Sequence, residues 1–276
     1  MAPAYRLGLI VLLLALSACC AHAADSWELH PEWAEDFKAQ SVSGTMLIYD
    51  EKAQRYLVLD RQRAETAFAP ASTFKIFNAL TVLETGVIAD EHVTLKWDGT
   101  KRWVADWNRD HDLASGMKYS VVWYYQEIAR RIGQERMQAW IDKVGYGNRD
   151  ISGGIDRFWL GKGGLRISAV EQIGFLRRLA DGALPFSARG QDIVRRITIV
   201  EQGDGYVLHA KTGWKQVDGE TDLGWYVGWI ERDARRWFFA MNIDMPNADD
   251  AGKRAGLART MLQRAGALEK SAAPTR

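Results

Sequence analysis

The sequence predicts an α+β fold: one mostly antiparallel sheet built from N- and C-terminal strands and flanked by helices, with a helical lobe inserted at roughly residues 90–200. Three observations carry this prediction. Apolar residues alternate between residues 42 and 60 and again after 205, they recur at helical spacing in between, and no repeat or low-complexity linker divides the chain. With 276 residues, 47% hydrophobic and 26% charged, the chain is long enough for one well-filled globular unit.

The segments "VSGTMLIY" (42–49) and "RYLVLD" (55–60) read as strands joined by the polar turn "DEKAQ". The stretch "APASTFKIFNALTVLETG" (69–86) reads as a helix: Pro70 suits its start, Ile76, Leu80, Leu83 and Val87 recur at helical spacing, and Gly86 marks its end. Phe74, Phe77, Ala79 and Val82 cover the other sides, so this helix is predicted to be central. "YSVVWYYQEIARRIG" and "QERMQAWIDKVG" follow as consecutive helices. Ser168 with Glu171 forms a capping box opening "SAVEQIGFLRRLADG", which closes at Gly182. Gly-rich loops, "GYGNRDISGG" and "GKGG", lie between them. After residue 205, "YVLHAK" (206–211) alternates, and "LGWYVGWIE" and "RRWFFAMNID" form a strand pair around Arg232, Asp233 and Ala234. "AGKRAGLARTMLQRAGAL" closes the chain as an amphipathic helix. A small-molecule site is expected in the cleft between the two lobes.

The N-terminus reads as an export signal: Arg6, the apolar run "LGLIVLLLALSA", then small residues. Ala21-His22-Ala23 fits ordinary signal peptidase and leaves residues 24–276 as a single catalytic domain in the periplasm. Leu16-Ser17-Ala18-Cys19 resembles a lipoprotein box and would anchor the chain through Cys19. The soluble product is preferred. No second apolar run approaches membrane-spanning length. Removing residues 1–23 takes away Arg6 and no acid, leaving 35 basic and 35 acidic residues, which argues against nucleic acid as a partner. Cys19 and Cys20 both lie in the signal, so the soluble form has no disulfide and depends on its core, to which 12 tryptophans in the chain contribute. The five histidines are scattered with no pair at ligand spacing, and no metal is expected. No Gly-x-Ser-x-Gly elbow, dinucleotide fingerprint or phosphate loop occurs. Oligomeric state, monomer or dimer, is open.

Chemistry concentrates at Ser72 and Lys75, one helical turn apart. A serine hydroxyl is a poor nucleophile until a neighbouring base takes its proton. Lysine is a poor base when exposed, with only about one in 2,500 neutral at pH 7, but apolar burial lowers its pKa by about 3 to 5 units. Phe74, Ile76 and Phe77 crowd Lys75 accordingly. Ser-x-x-Lys alone is unspecific, since Ser115-Gly116-Met117-Lys118 also matches; that segment reads as a loop containing Gly116, without a helix to fix a nucleophile. What distinguishes the first match is its company: Ser120-Val121-Val122 opens a helix, and Lys211-Thr212-Gly213 ends a strand.

The set Pro70-Ala71-Ser72-Thr73-Phe74-Lys75, Ser120-Val121-Val122, Tyr146-Gly147-Asn148, Phe158-Trp159-Leu160 and Lys211-Thr212-Gly213 resembles that of the class D β-lactamases, the oxacillinases. Class A enzymes would show Ser-Asp-Asn at Ser120, and penicillin-binding proteins usually keep an asparagine there too. The resemblance implies hydrolysis of β-lactams as small-molecule substrates, without a cofactor beyond carbon dioxide or bicarbonate. In it, Lys75 carries a carbamate held by Trp159, deprotonates Ser72 for acylation and then activates water. Backbone N–H groups of Ser72 and Trp214 form the oxyanion hole. Ser120 relays a proton to the departing nitrogen with Lys211. Thr212 and Gly213 line the substrate site, Thr212 and Arg254 bind the substrate carboxylate, and Val122 and Leu160 form an apolar gate over the carbamate. Tyr146 is architectural. Phe77 stands where the family usually has proline, so local packing there is expected to differ. A penicillin sensor domain and a cell-wall peptidase are the alternative readings. The loop "WKQVDGETDLGW" (214–225) somewhat resembles that of carbapenem-hydrolysing members.

Overall fold

The computed structural model describes residues 25–269; the export segment and both cysteines read from the sequence lie outside the described residues. In chain order the elements are β1 (Ser26–Leu29), α1 (Ala34–Ala39), β2 (Ser43–Asp50), β3 (Arg55–Val58), α2 (Arg61–Glu65), α3 (Lys75–Glu84), α4 (Leu113–Lys118), α5 (Val122–Ile132), α6 (Gln134–Val144), α7 (Ala169–Ala180) and α8 (Ala188–Ile197). There follow β4 (Ile199–Gly203), β5 (Tyr206–Lys215), β6 (Asp222–Arg232), β7 (Arg235–Met245) and α9 (Lys253–Arg264). The strands form one sheet in the order β1-β3-β2-β7-β6-β5-β4, joining the two chain ends through the antiparallel β2–β7 pair. The α+β prediction holds.

Alternation along the strands fills both faces. Leu47, Tyr49, Val227, Trp229, Phe238 and Ala240 enter one core with the residues of α3 and α5. Their neighbours Met46, Ile48, Ile230, Phe239 and Met241 enter the other, with Phe37 of α1 and Leu257, Met261 and Leu262 of α9. A strand with opposite sides in opposite cores explains the near-continuous apolar runs of β6 and β7. The β6–β7 hairpin turns on Asp233 (φ 51°) and Ala234 (φ 57°), both left-handed, as a two-residue turn matching the sheet's twist requires.

Helix α3 is buried from Lys75 through Leu83, as its all-round apolar pattern predicts. It begins after a 3-10 turn at Ala71–Phe74 rather than at Pro70, and it stops before Val87. Helices α4, α5 and α8 pack on it, α6 packs on α5, and α7 lies across β7 and β6. Phe77 is fully buried, stacked on Phe74 at 5.2 Å and packed against Tyr146 at 5.1 Å, with α3 unbroken around it.

Two strands were not legible in the sequence. β1, mostly exposed, pairs parallel with β3, and β4 is an edge strand whose bulged pairing with β5 stops at His209. Neither has a buried face long enough to impose alternation.

Candidate active site

The 3-10 turn Ala71–Phe74 runs directly into α3, so Ser72 and Lys75 meet across one turn, with Lys75 Nζ 2.6 Å from Ser72 Oγ. Lys75 is 1% exposed, and the ring of the buried Tyr125 lies 5.3 Å from its Nζ. Burial first, and Lys211 second, push the ammonium well below the ordinary lysine range. The position of Lys75 as the first residue of α3 acts in the same direction, because a helix N-terminus disfavours a cation.

The turn carrying Ser72 is held from several sides. Ala71 sits in the left-handed region (φ 48°), and its N–H donates to Trp159 O at 2.9 Å. Thr73 Oγ1 donates to Pro70 O and accepts from Gln172 Nε2 of α7, both at 2.8 Å and all buried. Trp225 Nε1 of β6 donates to Ala69 O at 3.0 Å. From below, β5 closes on the turn at Gly213, where a Cβ would lie 2.9 Å from Pro70 O and 3.0 Å from Trp225 Cβ. Only glycine permits that approach.

Across the cleft, Ser120 sits in a left-handed turn (φ 54°) between α4 and α5, two residues ahead of the start of α5 at Val122 rather than opening that helix as the sequence predicts. Lys211 Nζ donates to Ser120 Oγ at 3.0 Å and to Thr212 O at 3.1 Å. Burial, then the Arg254 charge, bring Lys211 down to about 7. Arg254 reaches over β6, where Gly224 leaves room that a Cβ would fill at 2.8 Å from Arg254 Cδ; its guanidinium donates to Ala251 O at 2.7 Å and to Gly213 O. Burial lowers the arginine to about 10.

Two sequence expectations about this region are corrected. Lys211-Thr212-Gly213 does not end its strand: pairing with β6 continues to Lys215–Leu223, because both ends of the 214–225 segment are strand and only residues 216–221 form the loop. Beyond His209, β5 has lost its β4 neighbour, so its edge from Lys211 to Trp214 opens onto the cleft without a strand to take up its backbone N–H groups. Ser115-Gly116-Met117-Lys118 is not a loop but lies in α4, with Asp112 and Ser115 forming a capping box.

Ser72, Ser120, Val122, Thr212, Gly213, Trp214 and Arg254 converge on one cavity of 230 Å³. Lys75, Trp159 and Lys211 stand behind its wall. Trp159 is fully buried and stacked on Phe74 at 5.4 Å, and among the described residues its indole N–H has no hydrogen-bond partner. Leu160 is half-buried against the core rather than in the cavity lining. Tyr146 is buried against Phe74, Phe77 and Phe175, away from the cavity.

Residues 44–263 match the penicillin binding protein transpeptidase domain family. The chain is 46% identical to β-lactamase OXA-48 of Klebsiella pneumoniae, over 87% of this chain and 90% of that protein. It superposes on the class D β-lactamase YbXI from Nostoc with a TM-score of 0.82 and 43% identity, over 86% of this chain and 99% of that one. The chain belongs to the class D β-lactamases. This class D β-lactamase is also similar to FUS-1 (OXA-85) from Fusobacterium nucleatum subsp. polymorphum, with a TM-score of 0.84 and 36% identity over 88% of this chain and 100% of that one.

The class D β-lactamase site contains residues that sequence reasoning missed. Trp103, Val104, Trp107, Tyr119 and Gln216 complete the cavity wall. Trp103 is 75% exposed, edge-on to Trp214 at 6.1 Å and 5.8 Å from Trp107. A signal for them was present: "KRWVADWN" puts two tryptophans in a polar stretch with no helical or strand period. Gln172 had none, because a glutamine on a helix reads as solvated.

Proposed function

We propose that this class D β-lactamase hydrolyses β-lactam antibiotics in the periplasm of a Gram-negative bacterium, conferring resistance, with Ser72 as nucleophile and Lys75, carried as a carbamate, as general base. The observation that carries the reading is a dry lysine 2.6 Å from Ser72 Oγ together with the buried, unpartnered indole N–H of Trp159. Burial favours the neutral amine, whose lone pair adds to carbon dioxide with release of a proton. The Trp159 N–H is a donor for the resulting anion, which an otherwise apolar pocket needs if it is to hold a charge. The carbamate supplies a stronger base than an exposed amine at neutral pH would.

Ser72 Oγ gives its proton to that base and attacks the lactam carbonyl. The N–H groups of Ser72 and Trp214 receive the oxyanion, each such donor worth about 2.7 to 4 kcal/mol of barrier lowering. As the C–N bond breaks, Ser120 protonates the nitrogen and takes a proton from Lys211, its partner at 3.0 Å. A lysine near 7 gives up a proton readily at neutral pH. Thr212 and the Arg254 guanidinium hold the substrate carboxylate. Water, admitted past Val122 and Leu160 and deprotonated by the same base, then releases the acyl group.

Kinetics of the purified protein with a penicillin test this. Multiple turnovers are expected, falling in mildly acidic, carbon-dioxide-depleted buffer, where the amine is reprotonated, and recovering with bicarbonate. A single stoichiometric burst in both conditions would identify a penicillin sensor instead, and full turnover by Lys75→Ala would refute the carbamate.

A further inference from the structure

A second cavity, of 790 Å³, lies beyond Lys211 and shares Tyr119 and Thr212 as walls with the cavity holding Ser72. Lys211 stands between them, with its Nζ on Ser120. The second cavity is cationic. Arg109 and Lys118 flank Tyr119, with Arg109 Cζ 4.8 Å and Lys118 Nζ 5.4 Å from its ring centroid. Arg196 also lines it.

The acids nearby cancel only part of this charge. Asp112, the one acid in the wall, is engaged in capping α4, accepting from Ser115 N at 2.8 Å and Ser115 Oγ at 2.6 Å. Glu91 pairs with Arg196. Arg109 has only a 3.7 Å contact with Asp106, and among the described residues Lys118 has no carboxylate within ion-pair distance. Both side chains are exposed and keep donors for a ligand.

Ser120 and Thr212, to which the reading above assigns the lactam nitrogen and the substrate carboxylate, lie on the side of the first cavity that adjoins this one: Thr212 lines both, and Ser120 touches Lys211 in the wall of the second. We propose that the cavity is a subsite for a second anionic group, a carboxylate or sulfonate, on the amine-side substituent of the β-lactam, bound by Arg109 and Lys118. This rests on the β-lactamase reading above. The subsite selects among substrates and takes no part in bond breaking.

The test is kcat/KM for a matched pair of β-lactams whose amine-side substituents differ only in bearing a carboxylate or an isosteric neutral amide. The anionic-to-neutral ratio is expected to fall about tenfold in the Arg109→Ala, Lys118→Ala double variant. High salt is expected to lower the ratio of the unsubstituted protein toward that of the variant, because exposed charges are screened. Lys118→Glu, a surface change compatible with folding, is expected to turn the preference toward the neutral member. A ratio that stays constant across protein, variants and salt would overturn the subsite. Failure of the unsubstituted protein to turn over the neutral member would instead overturn the β-lactamase reading on which it rests.

Discussion

The chain contains the same four-residue pattern twice, in two helical settings, and the settings differ in everything but the pattern. At Ser72 and Lys75 the serine lies in a 3-10 turn with no capping duty, and the lysine is buried at its side, 2.6 Å away. At Ser115 and Lys118 the serine is the third residue of α4: its N–H donates to Asp112 Oδ1 at 2.8 Å, and its hydroxyl faces the same carboxylate at 2.6 Å. Lys118 is exposed, over Tyr119 in the wall of the second cavity. One turn of spacing therefore creates a candidate nucleophile only where the hydroxyl has no structural obligation and the amine has no water. The helix alone, which both segments have, is not the difference.

The largest effect that would break this comparison is on turnover. Ser72→Ala is expected to lower penicillin hydrolysis by roughly a thousandfold or more, while Ser115→Ala stays near the unsubstituted rate. Comparable losses in both, measured as steady-state kcat/KM, would show that the environment does not discriminate between them. Next comes the anchoring of the first turn. Gln172→Leu removes the buried donor to Thr73 Oγ1, and a displacement of the turn is expected to slow acylation by about tenfold in a stopped-flow burst. An unchanged burst rate would mean that the bonds from Ala71 and Trp225 hold Ser72 alone.

A smaller effect reads the burial of Lys75 directly. In the unfolded chain this lysine has an ordinary pKa, and in the folded chain a depressed one, so between the two the unfolded state binds more protons and stability rises with pH. Lys75→Met is therefore expected to raise Tm by roughly a few degrees in carbon-dioxide-depleted buffer. That gain is largest below the depressed pKa and shrinks as pH climbs toward the ordinary lysine range, which differential scanning calorimetry across pH would follow. Constant Tm differences would argue against a dry amine. The smallest effect belongs to the other segment: Ser115→Ala breaks the capping box and is expected to cost about 0.5–1 kcal/mol in urea unfolding.

Much of the architecture was legible because the burial pattern recurs along the chain. The apolar runs of β6 and β7 and the all-round apolar α3 can be satisfied only inside a core. Short or exposed elements such as β1 and β4 leave no such record. For the site, residue types at known spacing singled out Ser72, Ser120 and Lys211, the family resemblance added Arg254, and the fold draws Ser72, Ser120 and Arg254 to one cavity with Lys211 behind Ser120. By itself, then, the sequence determined the helical and strand periods, the crowding of Lys75 by neighbours in its own helix, and the motif set that marks the family. The tertiary structure alone decided that, among the described residues, the indole N–H of Trp159 is left unpartnered and that Gln172 and Trp225 brace the Ser72 turn. The physical reason is range: periodicity and crowding act between residues within a few turns, whereas hydrogen-bond satisfaction and desolvation depend on partners as distant as Gln172 and Thr73, 99 positions apart.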